Sequence, residues 1–237
     1  MIQTLIVIAW TVPATIFFAI FAILISLVDP TGKVPHLVAR TWAKSILIAG
    51  RIKVKVKGLS KIDPTTSCIY MCNHQSNFDI PVLLAHLKVQ FRWLAKAELF
   101  RIPLFGFAMR RAGYISIDRT DRQAAFSSLD KAAKTIRNGV SVIIFPEGTR
   151  SPDGNISPFK KGGFVLALDS GVPIVPIILH GTRSIMPKKQ LRIVPGTVVM
   201  EITDPVDISG YARENKEALM DRIRNIICDA FKKIERK

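Results

Sequence analysis

From Met1 to Val28 the chain carries no charged side chain. Wound as a helix, that stretch would reach about 42 Å at roughly 1.5 Å per residue, more than the ~30 Å hydrocarbon core of a bilayer. The pattern therefore predicts a membrane-embedded helix, spanning or re-entrant, with Pro13 as the natural place for a kink. A cleaved leader would need a basic n-region and a small-x-small cleavage site, and the segment has neither. Between Pro35 and Ala49, apolar Leu37, Val38, Trp42, Ile46 and Leu47 recur at helical spacing with Arg40 and Lys44 between them. This predicts an amphipathic helix lying in the membrane interface, its cations toward headgroups, with an ordinary packing helix of the α/β domain as the alternative.

The period then changes. Arg51-Ile52-Lys53-Val54-Lys55-Val56-Lys57 alternates strictly, which places four cations on one face of a strand and three β-branched residues on the other. The strip suits an edge strand guarded by lysines, an anionic lipid surface, or both. Beyond it, short apolar runs (67–72, 91–95, 114–117, 140–145, 174–179, 198–202) alternate with helix-like segments (81–87, 105–112, 123–138, 163–170, 214–233). Such alternation predicts an α/β domain with a largely parallel or mixed sheet flanked by helices. The division expected is residues 1–50 as membrane-anchoring helices and 51–237 as the α/β domain. In the last helix, Leu219, Ile223, Ile226, Ile227 and Phe231 share a face that belongs to the core.

Charge narrows the partners. Thirty-four basic residues against 18 acidic ones give a formal net charge of +16, which suits a polyanion or an anionic membrane. The apolar N-terminus selects anionic membrane lipids, and without aromatic–basic interleaving or a recognised fold signature a nucleic acid partner is not expected. Cations begin at Lys33, Arg40, Lys44 and Arg51, so the bulk of the chain is expected on the cytoplasmic side of the membrane. Three cysteines without Cys-x-x-Cys spacing imply no disulfide framework and agree with a reducing cytosol.

The chemistry concentrates in four blocks at strand ends or helix starts, where ligands of open α/β sheets bind. The first runs Asn73-His74-Gln75-Ser76-Asn77-Phe78-Asp79. In a regular helix positions i and i+5 lie roughly 140° apart. In a strand-to-helix loop, by contrast, the chain can double back and let Asp79 hold one nitrogen of His74, leaving the other to accept a proton. This is the base-plus-orienter half of a triad, with no serine or cysteine obviously placed as a third member. The second block, Gly113 to Arg119, ends a strand on Asp118 and Arg119. The third, Phe145-Pro146-Glu147-Gly148-Thr149-Arg150-Ser151, breaks a strand into a turn bearing a carboxylate, backbone N–H groups at Gly148 and Thr149, and a guanidinium. The fourth, Val172-Pro173-Ile174-Val175-Pro176, is wall material.

With these blocks in this order the sequence resembles the glycerolipid acyltransferase family, and within it the bacterial 1-acyl-glycerol-3-phosphate acyltransferases; the resemblance extends over essentially the whole chain. It implies a membrane enzyme that moves an acyl group from acyl-carrier protein or acyl-CoA to the sn-2 hydroxyl of lysophosphatidic acid, giving phosphatidic acid at the cytoplasmic face of a bacterial inner membrane. It implies His74 as general base, Asp79 as its orienting carboxylate, and Lys96, in Lys96-Ala97-Glu98-Leu99, as a cation near the oxyanion. Arg119 and Arg150 would fork onto the acceptor phosphate; the rival reading is structural, a salt bridge of Arg119 with Asp118 or Asp121 and of Arg150 with Asp153. Glu147 would orient Arg150 or meet glycerol hydroxyls, Gly148 and Thr149 would offer backbone N–H groups to the phosphate, and the N–H groups after Lys160-Lys161 would add to the anion site. No metal or organic cofactor is implied.

Several other residues invite the same roles. His180 ends a strand and is expected to face the same crevice, which leaves a supporting role open to it. His36 is expected at the membrane interface, and His86 in a structural role near the end of a helix. Cys72 lies two residues before His74 and, as a strand neighbour on the same face, is within reach as a nucleophile. Direct transfer to a ready hydroxyl needs no such intermediate. Rival functions are a non-catalytic anionic-lipid binder, which would leave His74 and Asp79 idle, and a sibling acyltransferase using glycerol 3-phosphate or another lysolipid.

Overall fold

The structure is a computed structural model that describes residues 1–118 and 122–236, with backbone alone at residues 122, 125 and 126. Helices α1 (Ile2–Ile25) and α2 (Lys33–Ala49) lead into β1 (Ile52–Lys57), β2 (Ile69–Cys72), α3 (Asp79–His86), β3 (Phe91–Lys96), α4 (Phe105–Arg111) and β4 (Ile115–Ile117). There follow α5 (Arg122–Arg137), β5 (Ser141–Ile144), α6 (Lys161–Ser170), β6 (Ile174–His180), α7 (Thr182–Ile185), β7 (Gly196–Ile202) and α8 (Lys216–Glu235).

Among the described residues the sheet has seven strands in the order β1-β7-β6-β2-β5-β3-β4, parallel at every pairing except β6–β7. It is thus a mixed sheet, with β1 and β7 running against the other five. The central strands β2 and β5 are buried at every position, as strands covered on both faces must be, and their sequences are correspondingly apolar throughout.

Alternation sends each strand's side chains into two cores. Tyr70, Cys72, Ile143, Val175, Ile177 and Leu179 join the layer beneath α2 and α3. Ile69, Met71, Val142, Ile144, Ile174 and Ile178 join the layer beneath α5, α6 and α8, where Leu219, Ile223, Ile227 and Phe231 close the core at four-residue intervals.

One side of helix α2 packs on protein: Ala43, Ile46 and Leu47 are buried in the core shared with α3 and the sheet, while Val34, Leu37 and Ile48 stay exposed. His36, expected at the interface, is fully buried, with its ring edge-on to Phe91 and Nδ1 3.1 Å from the Tyr114 hydroxyl. An amphipathic stripe reports that one face seeks an apolar neighbour, and for Ala43, Ile46 and Leu47 that neighbour is α3 and the sheet.

Helix α1 runs unbroken through Pro13 and lies along α2 and α4. Gln3 donates to the Ala49 carbonyl at 2.6 Å near one end, and Arg111 donates to the hydroxyl and carbonyl of Ser26 at 2.6 and 3.1 Å at the other. Its outward side exposes Leu5, Trp10, Phe17, Phe21 and Leu24. Of the described helices it is the one long and apolar enough to cross a membrane.

Candidate active site

The site is built where β2 and β5 end side by side. They pair in parallel with Tyr70 opposite Ile143 and Met71 opposite Ile144. Continued past the strands, that register brings residue 74 level with residue 147. Asn73, buried at the end of β2, prolongs the sheet with its side chain: Nδ2 donates to the Leu179 carbonyl and Oδ1 accepts from the Leu179 N–H, both at 2.8 Å. The loop thus leaves the sheet from a fixed point.

The chain then doubles back over five residues, and the structure brings His74 and Asp79 together. The Asp79 side chain is fully buried in the first turn of α3. Its Oδ2 lies 2.7 Å from His74 Nδ1 and accepts the N–H groups of Gln75 and Ser76 at 2.7 and 2.9 Å. The geometry assigns the proton to Nδ1, because the carboxylate is an acceptor; Nε2 is left with its lone pair. The imidazole stacks on Phe145, with centroids 3.9 Å apart and planes 9° from parallel. Its side chain retains 14% exposure, enough for a substrate to reach one edge.

The third block grips this loop from below. Pro146 and Gly148 close a turn in which the Gly148 N–H donates to the Phe145 carbonyl at 3.0 Å, with Gly148 at φ +74°. The Gly148 N–H expected to face a ligand is therefore committed to the turn. Glu147 also departs from its expected role. Only 2% exposed, it accepts the His74 N–H at 2.6 Å through Oε1 and the Ser157 N–H at 2.8 Å through Oε2, so among the described residues it braces backbone and is in no ion pair with Arg150. Burial pushes its carboxyl above the usual range, opposed by these hydrogen bonds. The His74 carbonyl in turn accepts from Ser151 N–H at 2.8 Å, and Gln75 Nε2 donates to the Gly154 carbonyl at 2.6 Å. His74 is held at its side chain by Asp79 and at its backbone by residues 147 and 151.

His74 opens onto a cavity of about 980 Å³ whose walls include α1, α2 and α4. That volume sits at the upper end of the ~300–1,000 Å³ typical of small-molecule pockets. The walls are overwhelmingly apolar, with Trp42, Leu84, Phe105 and Met109 among them, while Lys96, Gly148, Thr149 and Arg150 supply the polar part. Among the described residues Arg150 is in no ion pair; Asp153, the acid nearest in sequence, is engaged with Ser151 and Asn155. Lys96 is exposed at the end of β3, its ammonium 2.7 Å from Glu98. Arg119 lies outside the described residues.

Two alternatives lose their geometry. His180 has the strand parity of Ile178, so it points to the opposite face of the sheet and rests on Phe231 of α8 with ring centroids 5.1 Å apart, not in the cavity. Cys72 has the right face but is completely buried, and burial followed by the charges of Asp79 and Glu147 drives its thiol well above the ordinary range, away from the nucleophilic thiolate. The segment at Lys160-Lys161 starts α6 in the other core layer, where Lys161 pairs with Glu217, and does not line the cavity.

Two further residues belong near the site. Phe145 ends a run that the sequence marks only as strand, and period-2 continuation from Ile143 puts it on the same face as His74. Lys188 reaches the Arg150 carbonyl from an irregular loop that carries no sequence signal.

The family model described as Acyltransferase matches residues 53–180, more than half of the chain and all four blocks. The chain belongs to the acyltransferase family. Within the family, 1-acyl-sn-glycerol-3-phosphate acyltransferase alpha of Homo sapiens is 32% identical over 220 residues, covering 92% of this chain and 78% of that one. The chloroplastic 1-acyl-sn-glycerol-3-phosphate acyltransferase BAT2 of Brassica napus is 38% identical over 201 residues. This acyltransferase spans only about half the length of its plant relatives, 56% in the case of Brassica. The crystal structure of the 1-acyl-sn-glycerophosphate acyltransferase PlsC from Thermotoga maritima superimposes with a TM-score of 0.87 at 28% identity, over 100% of this chain and 96% of that one.

Proposed function

We propose that this protein transfers a fatty acyl group from an acyl thioester, on acyl-carrier protein or coenzyme A, to the sn-2 hydroxyl of 1-acylglycerol 3-phosphate, forming phosphatidic acid for phospholipid synthesis. The observation that carries the reading is His74, backed by buried Asp79 at 2.7 Å, at the polar edge of an apolar cavity that also presents Arg150. A proton acceptor, an apolar volume and a guanidinium are what a long-chain phosphomonoester with a free hydroxyl requires. The names of the relatives of this chain support the same acceptor.

In the proposed reaction His74 Nε2 takes the hydroxyl proton as the oxygen attacks the thioester carbonyl carbon. Asp79 keeps the ring in the Nδ1–H form and stabilises the imidazolium. The oxyanion of the tetrahedral intermediate is stabilised by Lys96, our assignment for this role, which borders the same cavity. Collapse breaks the C–S bond, and the thiolate takes the proton back from His74. Arg150, with Arg119 as its expected companion, binds the phosphate, and Thr149 lines the same edge.

Helix α1 completes the reading as a membrane device. Because both its ends are tied to the same domain, we infer that it lies within one leaflet, apolar side outward, with the cavity between it and the sheet. A lysolipid could then enter from the bilayer while its phosphate reaches Arg150, with the domain on the cytoplasmic face of a bacterial inner membrane.

The test is phosphatidic acid formation from lysophosphatidic acid and labelled acyl thioester, for wild type and His74→Ala in membranes. Product from wild type and near-background product from the variant support the reading. Equal product from both removes His74 as base. A folded wild type that uses glycerol 3-phosphate or another lysolipid instead would favour a sibling activity.

A further inference from the structure

The loop between α7 and β7 is fastened at three points around the cavity. At its start the Met186 carbonyl accepts the Ser76 hydroxyl at 2.8 Å, which ties it to the His74–Asp79 loop. Near its end the Ile193 N–H donates to the Thr4 hydroxyl of α1 at 3.0 Å, and that hydroxyl donates back to the Ile193 carbonyl at 3.3 Å. Between these points Lys188 reaches the Arg150 turn: its ammonium donates to the Arg150 carbonyl and lies 3.4 Å from Thr149 Oγ1. Met186, Leu191 and Ile193 of the same loop line the cavity.

Charge makes this contact informative. Among the described residues no carboxylate pairs with Lys188, and none pairs with Arg150. Glu147 is buried with both oxygens taken, and Asp153 is occupied by Ser151 and Asn155. An ammonium has three donors; two are spent fixing it to the turn, and the third remains for a ligand. A phosphomonoester carries about −1.5 to −2 at pH 7, so a single guanidinium leaves part of that charge uncompensated. Arg150 lines the cavity, and Lys188, which is not itself a lining residue, is fixed from the neighbouring loop to the turn that carries Arg150. Two cations so placed, without acidic partners among the described residues, match such a group better than a carboxylate or a neutral headgroup.

We propose that Lys188 is a further cation of the phosphate subsite, set in place by the Arg150 carbonyl and the Thr149 hydroxyl. This rests on the acyltransferase reading above and adds a specificity-determining residue that lies outside the four sequence blocks. Because its loop also holds α1 and the Ser76 segment, phosphate bound there bridges the membrane anchor and the catalytic loop.

The experiment measures KM for lysophosphatidic acid and for the acyl thioester, with kcat, in wild type, Lys188→Met and Lys188→Arg. Loss of one charge-assisted contact predicts a roughly 10- to 100-fold rise in the acceptor KM for Lys188→Met. The thioester KM and kcat should stay near wild type, and Lys188→Arg should recover most of the loss. An unchanged acceptor KM, or both KM values rising together with a fall in kcat, would overturn the proposal. A footprint on the wild type avoids any folding defect: lysophosphatidic acid should shield Lys188 from an amine-reactive label where uncharged 1-acylglycerol does not. Equal labelling with and without lysophosphatidic acid would count against a phosphate contact. Wild type that makes no phosphatidic acid sinks the functional reading itself, a result distinct from an active wild type indifferent to Lys188.

Discussion

Replacing Asp79 by Asn isolates how the base is oriented. All three donors around this carboxylate, His74 Nδ1–H and the N–H groups of Gln75 and Ser76, converge on Oδ2, and Oδ1 has no partner. An Asn side chain can place its oxygen or its NH₂ at the Oδ2 position. With the NH₂ there, two buried backbone N–H groups lose their acceptor, at about 1–3 kcal/mol each, or about 2–6 kcal/mol together. With the oxygen there, all three bonds survive and only the NH₂, in the place of Oδ1, lacks a partner, costing about 1–3 kcal/mol of stability. The backbone donors therefore decide the rotamer, and His74 keeps its proton on Nδ1. What the reaction loses is the charge opposite the imidazolium: the difference between a charge-assisted and a neutral hydrogen bond is about 1–1.5 kcal/mol, or roughly 5- to 13-fold in kcat. In serine proteases the same substitution costs roughly 10⁴-fold because the tautomer changes. The assay is kcat at saturating lysophosphatidic acid and acyl thioester, alongside ¹⁵N-histidine NMR of the tautomer. A loss near 10⁴-fold with the proton found on Nε2 would refute the reasoning.

Phe145→Ala removes the ring stacked under His74; with aromatic pairs contributing about 0.5–1.5 kcal/mol, kcat should fall roughly 3- to 10-fold with little change in KM, and an unchanged kcat would show that Asp79 alone fixes the ring. Cys72→Ala should keep its activity and yield no acyl-enzyme on rapid quench, since its thiol is buried and raised; loss of turnover in a folded variant would reopen covalent catalysis. His36 is pushed down to about 3, first by burial and then by the charges of Arg92 and Arg40. The unfolded chain then takes up a proton near pH 6.5 that the folded chain refuses, so the stability from neutral His36 is complete above 6.5 and is lost as pH falls from 6.5 toward 3. Its contribution should change by about 1.4 kcal/mol per pH unit in that window, and denaturant titrations of wild type and His36→Phe should differ by that slope.

Much of this protein was legible in one dimension because the physics involved is local. Period-2 runs and their helical partners follow from alternation and the 3.6-residue turn, so the strands and helices of the α/β domain fall where the pattern puts them, and four blocks in order carry the family. The strand-to-helix position of residues 74–79 already allowed a carboxylate to reach an imidazole. The remainder depended on which strands lie side by side and which face each side chain takes. Parity and pairing turned His180 toward α8, put Phe145 beneath His74, and brought Glu147 level with the backbone of residue 74. A carboxylate in a motif looks the same in sequence whether it meets substrate or backbone; its burial decides, and burial is a property of the assembled sheet. Helix α2 displayed an apolar stripe whose partner only the packing of α3 could name. Lys188 was invisible for the same reason: an irregular loop has no period, and its contact with Arg150 spans 38 residues that only the fold closes.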